Sequence, residues 1–115
     1  MSRNSHTDLR ERTQAFALRI AKMFIALPKS AEAQVLGKQE LRSGTSVGAN
    51  YREAFRARSK PELISKLGDC LKELDKTAYR LELLIESKIV TTPRLARLRD
   101  ECNPLTAIFT TIAKK

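Results

Sequence analysis

Residues Arg42–Ala54 read RSGTSVGANYREA, and whether this run bends or stays helical decides the fold. Its glycines and hydroxyl side chains favour helix weakly, so a loop around Gly44–Gly48 is one reading. Its spacing supports the other. Gly37, Leu41, Gly44, Gly48, Tyr51 and Phe55 are separated by alternating steps of four and three, which puts them on one stripe of a helix. Glycines on such a stripe let a neighbouring helix come close, at about 1 kcal/mol each relative to Ala. A continuous or slightly kinked helix is the expectation, and a break near Gly44–Gly48 is the alternative.

The same rule extends along the chain in both directions. Leu9, Thr13, Phe16, Ile20, Met23 and Leu27 form one stripe, and Leu67, Leu71, Leu74, Ala78, Leu81 and Ile85 a second. Leu95, Leu98, Cys102, Leu105, Phe109 and Ile112 form a third. These are seams of a left-handed bundle, and no segment sustains the alternation of a half-buried strand. The spacing predicts a disordered tail over residues 1–6, then a bundle over 7–115 with helices near 8–26, 31–58, 60–87 and 93–113.

The boundaries carry their own signals. Thr7 can cap the first helix, and Leu27-Pro28-Lys29-Ser30 reads as a stop, a turn and a new cap. Ser59-Lys60-Pro61-Glu62 fits a capping box, and Thr92-Pro93 repeats the cap-then-Pro order. Pro104, inside the fourth segment, should kink that helix or shift its start. Short connections make consecutive helices antiparallel, so the fold class is all-α, an up-down-up-down four-helix bundle.

Two helices have a second apolar stripe. Leu63, Cys70, Thr77 and Leu84 recur every seven residues in the third, while Ala17, Leu18, Ala21, Phe24 and Ile25 widen the first. A wide core face would explain these stripes, but contact between subunits is the favoured reading. Cys70 and Cys102 should be buried, inert thiols, because antiparallel pairing of their helices leaves them roughly 12 Å out of level.

Composition narrows the function. With 22 Lys and Arg against 13 Asp and Glu, the 115-residue chain carries +9, which favours polyanionic partners. The stretch that comes closest to a membrane span, Ala15–Leu27, is too short and is interrupted by Arg19 and Lys22. The polar N-terminus lacks a signal-peptide core, so a cytoplasmic location is expected. His6 is the sole histidine, the cysteines are too few for a zinc site, and the glycine run lacks the Gly-Lys-Ser/Thr ending of a phosphate loop. Glu82 and Glu86 read as a solvated pair. No enzyme, metal or cofactor is expected.

The excess charge is unevenly spread: +4 over residues 1–29, +3 over 30–60, −1 over 61–91 and +3 over 92–115. In the second helix Lys38, Arg42, Arg52, Arg56 and Lys60 project within roughly 40° of one direction, with small Thr45 and Ala49 between them. These five are the candidate nucleic-acid-binding residues, since guanidinium forks match phosphate oxygens. The competing reading is a solvated face in which Arg52 or Arg56 pairs with Glu53.

Leu27-Pro28-Lys29-Ser30, Gly37-Lys38-Gln39, the run Arg42–Ala54 and Ser65-Lys66-Leu67-Gly68 together resemble the bacterial four-helix-bundle proteins encoded in 23S rRNA intervening sequences, formerly called S23 ribosomal proteins. The similarity spans roughly Leu9–Lys115, and Arg80 departs from it, where relatives often carry an aromatic residue. The resemblance implies a ring-shaped homo-oligomer, typically a homopentamer, with a positive surface. It also implies kinship in fold with the accessory protein of diversity-generating retroelements, which works with nucleic acid and a reverse transcriptase. It supplies no catalytic residues. Two functions follow as expectations: a non-enzymatic oligomer that contacts nucleic-acid phosphates, or a scaffold whose partner is another protein.

Overall fold

A computed structural model describes residues 3–89 and 93–114, with the backbone alone at 3–7 and 94. Helices α1 (Arg3–Ala26), α2 (Ala31–Phe55), α3 (Lys60–Glu86) and α4 (Pro93–Ala113) account for nearly all of these residues, and none is in a strand. The bundle measures 45 × 21 × 19 Å, about the length of its longest helix by two helix diameters. Helix α2 runs unbroken through Gly44–Gly48. Helix α4 likewise continues through Pro104, an exposed residue that has no N–H to donate to the Asp100 carbonyl.

Local chemistry sets the ends. The Ser30 hydroxyl accepts from the Ala33 N–H, and the Ser59 hydroxyl accepts from the Glu62 N–H at 3.2 Å. The Glu62 carboxylate reaches back to the Arg58 N–H at 3.3 Å, one residue before the cap rather than the cap itself. Helix α1 begins at Arg3, within the segment read as a tail, so Thr7 lies inside the helix rather than at its start. Thr92, read as the cap of α4, lies outside the described residues. Lys88 closes the α3 end at φ 59°, the left-handed position that usually falls to glycine.

The core follows the stripes in α1, α3 and α4. Leu9, Phe16, Ile20 and Leu27 are buried with Leu67, Leu74 and Leu81 and with Leu95, Leu98, Leu105 and Phe109. Tyr51 and Phe109 pack at 5.8 Å between ring centres. Burying these side chains contributes roughly 1.5–3 kcal/mol each. In α2 the buried line is rotated from the expected one. Gly37, Gly44 and Tyr51 of the expected seam are buried, but so are Ala33, Glu40, Ser43, Val47 and Ala54 beside it, while Leu41 is half-buried and Phe55 is 43% exposed. The reason is that α2 packs on both α1 and α3, so its glycines line one flank and its centre faces inward.

The second stripe of α3 is also internal: Cys70, Thr77 and Leu84 are buried and Leu63 packs against the core. That stripe is therefore wide core face, not subunit contact. On α1 the outcome differs, with Leu18 56% and Ile25 74% exposed on the side turned from the core. Both thiols are buried and unpaired as disulfides, and burial pushes each up to about 12, which keeps them protonated. Helices α1 and α4 touch only sparingly, with an Arg12–Glu101 ion pair at 3.0 Å between them. Among the described residues no helix is long and apolar enough to cross a membrane.

Candidate nucleic-acid interface

Helix α2 orients the charged face by burying its opposite side. Against α1 it sets Gly37, Gly44 and Gly48. A Cβ on Gly37 would lie 2.5 Å from Leu27 Cδ1, and one on Gly44 would lie 2.8 Å from Ile20 Cγ1. Real Cβ atoms do not come that close to a neighbour, so a side chain at Gly44 would press on the branched Ile20, and one at Gly37 would displace the ends of Leu27 and Phe24. The pairings Leu27–Gly37, Ile20–Gly44 and Thr13–Gly48 run antiparallel and fix the register of the two helices.

Against α3 polar contacts flank the core. Thr77 donates its hydroxyl to Ser43 Oγ at 2.9 Å, Arg80 donates to the Gln39 carbonyl at 3.2 Å, and Lys66 pairs with Glu53 at 2.9 Å. Arg80 thus holds α3 to α2 where the resemblance leads one to expect an aromatic ring. Between these flanks Glu40 is fully buried, and neither carboxylate oxygen has a hydrogen-bond partner. Burial pushes its carboxyl up to about 8, while the Arg80 guanidinium opposes the shift.

The basic residues come out on the remaining side. Lys38, Arg42, Arg52 and Arg56 are all exposed, and none forms an ion pair among the described residues. Glu53, the expected partner of Arg52 or Arg56, is engaged by Lys66 instead. Lys60 does not continue the stripe. Helix α2 ends at Phe55 with Arg56 as its C-cap, and Lys60 opens α3 after a turn, so projection at a constant helical angle fails beyond Arg56. The row on α2 therefore consists of four side chains, with Lys60 on the next helix.

One further residue joins them. Arg10 of α1 lines a groove of about 430 Å³ with Arg52 and Arg56 of α2. Sequence counting within single helices could not find it, because Arg10 meets Arg52 only through the α1–α2 register that the glycines set. No group of three or more His, Cys, Asp or Glu placed to hold a metal ion occurs among the described residues.

The molecule is thus an antiparallel helical bundle with a row of exposed cations along α2. The profile of the 23S rRNA-intervening sequence proteins matches residues 6–111, and the chain belongs to that family. Among solved structures it is similar to a protein of unknown function from the S23 ribosomal protein family of Bacteroides thetaiotaomicron VPI-5482. The TM-score is 0.88 at 34% identity, covering 96% of this chain and 98% of the other. A comparison with curated proteins finds no match.

Proposed function

We propose that this protein is a non-enzymatic, cytoplasmic homo-oligomer that binds nucleic acid through phosphate contacts, as an accessory factor of a ribonucleoprotein or retroelement. The observation that carries the reading is the set of exposed cations on α2 whose nearest candidate acid, Glu53, is committed to Lys66. Charges left without internal partners are available for phosphate oxygens, and the net charge of +9 adds long-range attraction. Assembly as a homopentamer follows from the family resemblance, and exposed Leu18 and Ile25 on α1 supply apolar surface for a subunit contact. A ring would repeat the α2 face once per subunit and multiply the affinity of each copy.

The test is a titration of labelled single-stranded RNA and duplex DNA at two salt concentrations. Four phosphate contacts per subunit give a log-log slope of about −3 on a single strand. The double variant Arg52→Glu/Arg56→Glu should weaken binding at least tenfold and flatten that slope while leaving helicity intact. Unchanged binding would remove the α2 face from the mechanism. The other reading, a scaffold for a protein partner such as a reverse transcriptase, is favoured by the same Leu18–Ile25 surface. It requires that nucleic acid bind no better than to any protein of equal charge.

A further inference from the structure

The α1–α2 groove differs from the rest of the basic face because cations reach it from two helices. Arg10 lies on α1, while Arg52 and Arg56 lie on α2, and all three are exposed and without ion pairs among the described residues. Its one acidic lining residue, Glu53, is neutralised by Lys66 at 2.9 Å. Three guanidinium side chains lining one groove repel one another, and an anion bound between them relieves that repulsion.

The groove between the arginines has room for more than an anion. Gly48 has no side chain at the helix contact, and Ala17 and Ala49 are small, so none of these three puts a bulky side chain into the groove. The Thr13 hydroxyl at its base is satisfied by the Leu9 carbonyl at 2.8 Å and does not compete for a ligand. Gln14 lines the same recess and adds a polar group beside the cations, while the Thr45 hydroxyl, like that of Thr13, is donated within its own helix, to the Leu41 carbonyl at 2.6 Å. No aromatic side chain lines it, so it offers no platform for base stacking. At about 430 Å³ the space is in the range of small-molecule sites and far exceeds one phosphate group.

From this we infer that the α1–α2 groove admits one sugar-phosphate unit of a single-stranded nucleic acid, its phosphate held by Arg10, Arg52 and Arg56 and its sugar seated over Gly48 and Ala49. The inference rests on the proposed nucleic-acid role and adds the strand state and the point of entry. A duplex carries its sugars and phosphates on the outside, but its backbone is stiff over the length of this site, so it can touch the arginine rim with phosphates but cannot bend to follow the recess. A flexible strand can do both. With no stacking ring and no buried reader of base edges, the seat is tolerant of sequence.

Two variants of the full chain test this by anisotropy, with a labelled mixed-sequence single strand and a labelled duplex of equal length as probes. Arg10→Ala removes the one groove cation that lies outside the α2 row. Ala49→Leu fills the recess at an exposed position and changes no charge, with thermal melting by circular dichroism confirming the fold. Each should raise the single-strand Kd about tenfold, and Ala49→Leu should leave the duplex Kd within twofold of the parent. Single-strand binding at parental strength by both variants overturns the groove as the seat while the α2 face stands. Equal losses for single strand and duplex in Ala49→Leu overturn the strand preference. Absence of binding by the parent at low salt is a different failure, that of the proposed function itself.

Discussion

Against α1, helix α2 presents Gly37, Gly44 and Gly48, and the side chains of Leu27, Ile20 and Thr13 occupy the space that Cβ atoms would take. Against α3 the same helix presents a hydroxyl, a backbone carbonyl and a carboxylate, each matched to Thr77, Arg80 or Lys66. The first flank is specified by shape, most strictly at Gly44 against the branched Ile20. The second is specified by donors and acceptors, and its weak point is Glu40, which lies in the core with both oxygens unmatched. The difference teaches that a low-propensity run can be indispensable in a helix for two unrelated reasons on its two sides.

The largest effect should come from titrating the polar side. Glu40 keeps its proton up to about pH 8 in the folded chain and releases it near 4.5 when unfolded. Between those values the folded state binds the extra proton. This contribution is therefore complete below about pH 4.5 and is lost as pH rises through 8, a change on the order of 5 kcal/mol. Arg80 of α3 and Cys102 of α4 are the other ionisable groups in electrostatic contact with it. Denaturant melts of the parent and Glu40→Gln across pH 5–9 isolate the effect, since the amide does not titrate. Parallel profiles would show that the carboxylate is not isolated in the core.

Next in size is a test of the steric side. Gly44→Val places carbon where Ile20 Cγ1 and Cγ2 would lie 2.8 and 3.1 Å from the first added atom, and both belong to a branched, fully buried side chain. A loss of about 2–3 kcal/mol in a urea melt is expected from overpacking. Melting at the parental midpoint would mean that α1 can retreat and that the glycines are not required.

The smallest effect has the opposite sign. Gly68 sits inside α3 with nothing within 4 Å of the point where a Cβ would stand, so Gly68→Ala gains helix propensity without collision. It should stabilise the bundle by about 1 kcal/mol, read as a rise in the urea midpoint. Destabilisation there would break the contrast between required and incidental glycines.

How far these features are legible in the sequence depends on whether one helix or two must be known. The α1 stripe from Leu9 to Leu27 can be read because one continuous apolar face meets the core. In α2 a count of small and apolar residues follows the glycine flank and passes over Glu40, since a carboxylate is not a natural choice for a core position. That rotates the expected seam, making Phe55 a core residue and missing Val47 and Ala54. Four of the five basic candidates fall on α2 as counted, whereas Lys60 is lost to a turn that helical projection cannot register. Arg10 needs the α1–α2 register, and that register is written in Gly44 and Ile20 jointly, not in either helix alone.

Because α1 meets α4 only sparingly, close contacts lie almost wholly within hairpins of consecutive helices. Such a topology has little loop-closure entropy to overcome before contacts form, and folding of this kind is fast. The α1–α2 hairpin has its whole mating surface once Phe55 has been added to the chain, and α3 then finds a partner already in place. The bundle can therefore assemble in the order of its synthesis, with α4 docking last onto a surface that three helices have prepared.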